Sequence, residues 1–133
     1  MSVYVTDTHP LVWYAGNVHS KLSRKVKRIF ERAWEGEALI YIPAVVLWEV
    51  SFLIKDGEFR IKQEFGQWVT ALAARPGFDV AALDAEIIRE SFYFTFNDDP
   101  FDHAIVATAK IKDLSLITKD QAITGSRLVD VEW

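Results

Sequence analysis

The chain has 133 residues, a mass of 15.2 kDa, 50% hydrophobic and 26% charged residues, a formal net charge of −4 and no cysteine. This composition excludes disordered and low-complexity proteins and predicts one domain over residues 1–133 with its own core. The lack of cysteine excludes disulfides, thiolate metal sites and cysteine nucleophiles, and the acidic balance argues against a protein that binds nucleic acid through charge alone.

No basic leader precedes the first apolar residues, and every apolar run is broken well short of the length that a membrane helix needs. We therefore expect a cytoplasmic protein that does not enter the membrane.

Strand and helix patterns alternate along the chain, and glycine or proline marks most of the boundaries. The predicted strands cover residues 3–6, 38–42, 78–80, 115–118 and 128–131. The predicted helices start near Thr8 and then cover residues 20–35, 43–54, 65–72, 84–94 and 100–112. Because parallel strands are joined by crossover helices that cover the sheet, this alternation predicts an α/β fold with a parallel sheet between helices.

Acidic residues lie where the strands of such a sheet end. Asp7 follows the first strand, Asp120 follows the strand at 115–118, and Asp102 lies in the first turn of a helix. Glu49 is a fourth candidate, because its neighbours at helical spacing are all apolar and a charge on such a surface needs a partner. Ligands of open parallel sheets bind beyond the carboxyl ends of the strands, so these residues are candidates for a functional site.

Each acid also has a structural interpretation. Asp7 and Asp120 are typical of a helix cap and a turn, Asp102 suits the dipole of a helix N-terminus, and Glu49 can emerge at a solvated edge of its helix. Asp99 directly precedes a proline and is typical of an N-cap, which makes it a secondary candidate.

Four converging carboxylates would require a cation. Two unit charges about 5 Å apart repel by about 3 kcal/mol at an effective dielectric constant of 20. All-oxygen ligation favours Mg²⁺ or Mn²⁺, and these ions typically support phosphodiester hydrolysis by an activated water. The motifs of phosphate-loop nucleotidases, dinucleotide dehydrogenases, serine hydrolases and HExxH zinc proteases are all missing from the sequence.

Four segments carry a resemblance to a known family: VTDTHPLVW, IPAVVLWEVSFLIKDGEF, DPFDHAIVATA and LSLITKD. The chain resembles the PIN-domain ribonucleases over nearly its whole length, and among them the VapC-type toxins of toxin–antitoxin pairs. The resemblance implies that Asp7, Glu49, Asp102 and Asp120 form a catalytic quartet that holds Mg²⁺ or Mn²⁺. It also implies supporting roles for Thr8 and Thr118, and His103 stands where many relatives have arginine.

The same resemblance implies a three-layer α/β/α sandwich with about five parallel strands, a metal-dependent endoribonuclease activity, an RNA substrate, an antitoxin partner and a homodimer. Two alternatives remain open. One is a PIN-like module that binds RNA or protein without catalysis, and the other is a phosphoacceptor receiver domain, although that domain requires two acids after its first strand.

Two surfaces are candidates for partners. A basic helix face predicts contact with an RNA backbone, and an aromatic cluster in the middle of the chain predicts a protein interface. The basic face comprises Lys21, Arg24, Lys25, Arg28 and Arg32. The aromatic cluster comprises Trp48, Phe52, Phe59, Phe65 and Trp68.

Overall fold

A five-stranded sheet forms the centre of the protein, for which a computed structural model describes all 133 residues. Its strands are β1 (Ser2–Thr6), β2 (Ala38–Pro43), β3 (Phe78–Ala81), β4 (Ser115–Ile117) and β5 (Val131–Glu132). The strand order is β3-β2-β1-β4-β5 and every neighbouring pair is parallel. The predicted parallel α/β architecture is therefore confirmed.

Seven helices connect the strands. They are α1 (Thr8–Ala15), α2 (Arg24–Trp34), α3 (Ala44–Lys55), α4 (Phe65–Ala73), α5 (Ala85–Ser91), α6 (Pro100–Lys112) and α7 (Gln121–Ser126). Right-handed crossovers place the helices before β3 on one face of the sheet and those after it on the other. None of these helices combines the length and the apolar character required to cross a membrane.

Helix α6 is the most deeply buried helix of the core. Residues 104–109 are all buried, because this helix packs against β1, β2 and β4. A cluster of 28 buried hydrophobic residues joins all seven helices to the sheet, and Val5, Ile40 and Leu116 in it are fully buried. Burial of α6 fixes its N-terminal turn, and with it Asp102, at the carboxyl edge of the sheet.

Three predicted boundaries are wrong. The helix predicted over 20–35 is divided into a 3-10 turn at His19–Lys21 and α2, because the Ser23 hydroxyl caps α2 by accepting from the Val26 N–H at 3.1 Å. The helix predicted over 84–94 ends at Ser91, and the last strand begins only at Val131. These are ends of short elements, where local hydrogen bonds outweigh hydrophobic periodicity.

The aromatic cluster is only partly a surface. Phe59 and Trp68 are each 7% exposed and belong to the core, so the predicted interface is wrong for these two residues. Trp48 and Phe52 are 55% and 39% exposed on α3 and form a cluster with Phe101, with ring centroids 5.3–6.1 Å apart.

Gly77 provides a test of the packing between α2 and the start of β3. A Cβ atom at this position would lie 1.7 Å from the Ala33 carbonyl oxygen, so Gly77→Ala forces backbone to move. We expect a loss of at least about 3 kcal/mol in the free energy of unfolding, measured by urea denaturation. The matched control is Gly125→Ala, where an added Cβ meets nothing within 4 Å and stability should change by less than about 1 kcal/mol. Equal effects of the two changes would contradict the packing described.

Candidate active site

The register of β1 against β4 determines the position of Asp7. Thr6 pairs with Ile117, and the Asp7 N–H continues the ladder by donating to the Ile117 carbonyl at 3.0 Å. Asp7 therefore lies opposite Thr118, whose hydroxyl donates to Asp7 Oδ2 at 2.7 Å. The two ends of β1 and β4 are joined at this point by a buried hydrogen bond.

Asp7 also caps α1. Its Oδ1 accepts from the Thr8 N–H at 2.8 Å, so both carboxylate oxygens have a donor although the side chain is only 8% exposed. Burial raises the pKa of Asp7, and the hydrogen bonds from Thr118 and Thr8 act in the opposite direction. The helix cap predicted as an alternative role of Asp7 is therefore confirmed. As the cap of α1, the Asp7 carboxylate still lies at the edge of the sheet.

Glu49 is held to the same edge from α3. The Thr8 hydroxyl donates to Glu49 Oε1 at 2.5 Å, across 41 residues of sequence. Burial raises the pKa of Glu49, and the charges of Asp7 and Asp99 raise it further. Glu49 thus points towards the other acids rather than towards a solvated edge of its helix.

Asp102 projects from the first turn of α6. Its Oδ2 accepts from the Asn97 side-chain amide at 2.8 Å. Burial is the largest cause that raises the pKa of Asp102 to about 7. The Asn97 hydrogen bond lowers this pKa, and the negative charges of neighbouring acids raise it further. These acids are Asp7, Asp99 and Asp120. The carboxylate is therefore poised to lose its proton near neutral pH.

Asp99 is the N-cap of α6. Its Oδ1 accepts from the N–H groups of Phe101 at 2.9 Å and Asp102 at 3.4 Å, which confirms the predicted cap. Its charge also raises the pKa of Glu49 and of Asp102, so Asp99 lies near these two primary candidates.

Asp120 is joined to Asp7 through Thr118. The Thr118 hydroxyl accepts from the Asp120 N–H at 3.0 Å while it donates to Asp7. Asp120 caps α7 with Oδ1, which accepts from the Ile123 N–H at 3.0 Å. One buried hydroxyl thus fixes the backbone of one acid and the side chain of another.

His103 supports the loop before α6 rather than the carboxylates directly. Its Nε2 lies 2.8 Å from the Asn97 carbonyl oxygen, and its ring packs edge-on against Phe94 and Phe96. His103 therefore holds the segment from which Asn97 reaches Asp102.

Asn97 is the site residue that the sequence analysis does not identify, because only the acids near the strand ends and at the start of the helix are candidates there. Its Oδ1 accepts from the Asp99 N–H at 3.0 Å, so the side chain closes a local turn and still offers its amide to Asp102. The signal was an asparagine two residues before an N-cap, a position typical of such turns.

The acids have the donor chemistry of a magnesium or manganese site. All are carboxylates, and their charges raise one another's pKa. No three acidic or histidine side chains are arranged to hold an ion directly. Mg²⁺ commonly binds through one or two carboxylates and several waters, so the residues present fit such an ion without a closed cage of protein ligands.

The comparisons with known proteins concern the family and the fold of the chain. The family model of the PIN domain matches residues 4–124, a range that contains all the acids described above. No curated protein matches the chain significantly.

Several solved structures share the fold. One is a chain of VapBC2 from Rickettsia felis, a complex crystallised with a DNA fragment from its promoter. That chain is 15% identical to this one with a TM-score of 0.70, and the match covers 98% of this chain and 97% of that chain. A chain of a toxin-antitoxin complex from Klebsiella pneumoniae is 22% identical with a TM-score of 0.64, covering 95% and 94%. A chain of FitAcB from Neisseria gonorrhoeae is 15% identical with a TM-score of 0.63, covering 97% and 95%.

The raised pKa of Asp102 predicts how the stability of the metal-free protein depends on pH. The folded state keeps this proton up to pH about 7, whereas the unfolded state releases it near the ordinary pKa of an aspartate, 3.8. Stability therefore falls as the pH rises from about 4 to about 7. Asp102→Asn removes this titration, so the variant should match the wild type near pH 4 and exceed it at pH 8.

We expect a gain of about 1 kcal/mol at pH 8 after allowing for solvent screening, or about 4 °C in Tm. The measurement is thermal unfolding in EDTA across this pH range. Asp79→Asn is the control, because Asp79 is exposed on β3 and outside the site. A variant less stable than the wild type at pH 8 would mean that Asp102 is a structural residue only.

Proposed function

The chain belongs to the PIN domain family, and from this membership and its acidic site we propose that it is a metal-dependent endoribonuclease. We further propose that it is the toxin of a toxin–antitoxin pair and acts in the cytoplasm. Asp7, Glu49, Asp102 and Asp120 are the proposed catalytic and metal-binding residues, and Asp99 is a secondary candidate.

One observation carries the proposal. The chain brings four carboxylates from separate elements to one edge of the sheet, and burial together with neighbouring negative charges raises the pKa of Asp102 to about 7. Such an arrangement costs stability in the metal-free protein, because like charges repel and burial disfavours the ionised forms. A divalent cation would offset both costs. Helix capping alone does not require carboxylates to be gathered in this way, so the cluster supports a metal site.

The proposed quartet would hold Mg²⁺ or Mn²⁺ through one or two carboxylates directly and through water to the others. A bound ion of this kind activates water and neutralises charge that develops on the phosphate. The chain itself contributes no cysteine, and neither His9 nor His103 is needed as a nucleophile.

The uncharged residues of the site orient the acids. Thr118 fixes Oδ2 of Asp7, Thr8 fixes Oε1 of Glu49, and Asn97 fixes Oδ2 of Asp102. Hydrogen bonds of this kind hold ligands in one rotamer and favour their ionised forms, so they prepare the site for a cation before it arrives.

The proposal of an antitoxin partner and a homodimer rests on two observations. Chains of the same fold occur in a complex described as toxin-antitoxin and in VapBC2. The cluster of Trp48, Phe52 and Phe101 exposes aromatic surface, which is typical of protein interfaces.

The direct test is cleavage of a mixed RNA pool by the purified chain with Mg²⁺ or Mn²⁺. We expect cleavage that EDTA abolishes and that Asp102→Asn, purified in the same way, reduces at least about 100-fold. Binding of the pool without cleavage by wild type under any metal condition would favour the alternative, a non-catalytic RNA-binding module.

Asn97→Ala tests the positioning of Asp102. The Asn97 hydrogen bond lowers the pKa of Asp102, so its loss should raise that pKa and move the acidic limb of the activity–pH profile to higher pH. We expect about a tenfold loss of activity at pH 7 that partly recovers at pH 8.5. Thr95→Ala is the control, because Thr95 is exposed in the same segment and makes no side-chain hydrogen bond. An unshifted profile in Asn97→Ala would contradict the role of Asn97.

A further inference from the structure

A cluster of aromatic rings and lysines lies beside the acidic site, on the side of α1. The Trp13 ring packs edge-on against Trp133, with centroids 6.2 Å apart. The ammonium groups of Lys21 and Lys119 lie 5.6 and 5.4 Å from the centroid of the Trp13 ring. We call these four residues the tryptophan platform.

Both lysines of the platform lack an acidic partner. The ion pairs of the structure are Lys25 with Glu132 and Lys110 with Glu90, and neither involves Lys21 or Lys119. Both lysines are exposed, and both cations lie against the same ring. Because neither ammonium is paired with a carboxylate, each can contact an anion such as a phosphate.

The platform adjoins the carboxylates at two points. His9 follows Asp7 by two residues, and its ring centroid is 5.7 Å from that of Trp13. Lys119 lies in sequence between Thr118, which binds Asp7, and Asp120. A strand of nucleic acid whose phosphate reached the acids would therefore have its next nucleotides near Trp13.

The chemistry of the platform suits an unpaired nucleotide. Aromatic side chains accept the faces of bases, and lysines accept backbone phosphates, in proteins that bind single strands. Paired bases are stacked within their own helix and cannot offer their faces in this way. Trp13 and Trp133 are partly exposed and pack against the edge of the core. The lysines over the Trp13 ring are exposed, flexible side chains, so they can move to a phosphate and leave the ring to a base.

We propose that the tryptophan platform is a subsite for single-stranded RNA, which stacks an unpaired base and contacts the phosphate next to the bond cut at the acidic site. The proposal rests on the proposed nuclease function and assigns the residues that hold the RNA beside the acids. It assigns to Trp13 and Lys119 a role in binding rather than in the chemical step.

The test measures binding apart from cleavage. A fluorescein-labelled single-stranded RNA of about ten nucleotides, a length within the range that one binding domain covers, is titrated in EDTA and followed by anisotropy. We expect Trp13→Leu to raise the Kd about tenfold, as for loss of one stacked base. Lys119→Gln should reduce the slope of log Kd against log salt by about 0.7, as for loss of one phosphate contact on a single strand.

Two controls match these changes elsewhere on the surface. Trp34→Leu removes a tryptophan that is 43% exposed but covered by the Arg75 guanidinium, 3.5 Å from the ring centroid. Lys27→Gln removes an exposed lysine of α2. Both should bind the RNA as the wild type does. Thermal unfolding checks that Trp13→Leu is folded. If this variant is unfolded, Lys119→Gln still tests the proposal, because Lys119 is exposed and its replacement should not affect folding.

The outcomes separate the subsite from the nuclease. Weaker binding by Trp13→Leu and Lys119→Gln, with intact controls, supports the subsite whether or not the wild type cleaves RNA. Metal-dependent cleavage by the wild type together with unchanged binding by both variants overturns the subsite and leaves the nuclease. Equal affinity of the wild type for the strand and for its duplex overturns the stacking of an unpaired base.

Discussion

The parallel pairing of β1 with β4 is the constraint on which the acidic site depends. In this register Asp7 and Thr118 leave the sheet side by side, and the Thr118 hydroxyl then binds the Asp7 carboxylate and receives the Asp120 N–H. A shift of one residue in either strand would reverse the side chains at the sheet edge and separate these groups. The burial of α6 adds the second constraint, since it brings Asp102 to the same edge.

The acids serve local structure and the site at the same time. Asp7, Asp99 and Asp120 each use Oδ1 to cap a helix, and Asp7 Oδ2 accepts from Thr118. A carboxylate has two oxygens, so a capping role does not exclude a second function. The caps stabilise the helices that start at this edge, and the positive ends of those helices lessen the repulsion among the carboxylates. Burial raises the pKa of Asp102, and the remaining repulsion from the neighbouring carboxylates adds to that rise.

Much of this could be predicted from the sequence, because the signals were strong and local. The alternation of strands and helices predicted the parallel sheet, and the acids that follow β1 and β4 were predicted to meet at its edge. The links between distant segments were harder to predict. The bond from Thr8 to Glu49 depends on how α1 and α3 pack, and the role of Asn97 depends on where a short loop folds back onto α6. Hydrophobic periodicity contains no information on either contact. It also could not separate Trp68, which is buried, from Trp48, which is exposed.

The central claim is that the acidic site binds a divalent cation, with one or two carboxylates as direct ligands and the others in contact through water. A titration with Mn²⁺, followed by the electron paramagnetic resonance signal of the free ion, tests this without any assumption about substrate. The account predicts saturable uptake by the wild type, and affinity at least about tenfold lower in Glu49→Gln, which keeps the shape of the side chain and its bond to Thr8 but removes the charge. Uptake by Glu49→Gln equal to that of the wild type, or no uptake by the wild type, would contradict it.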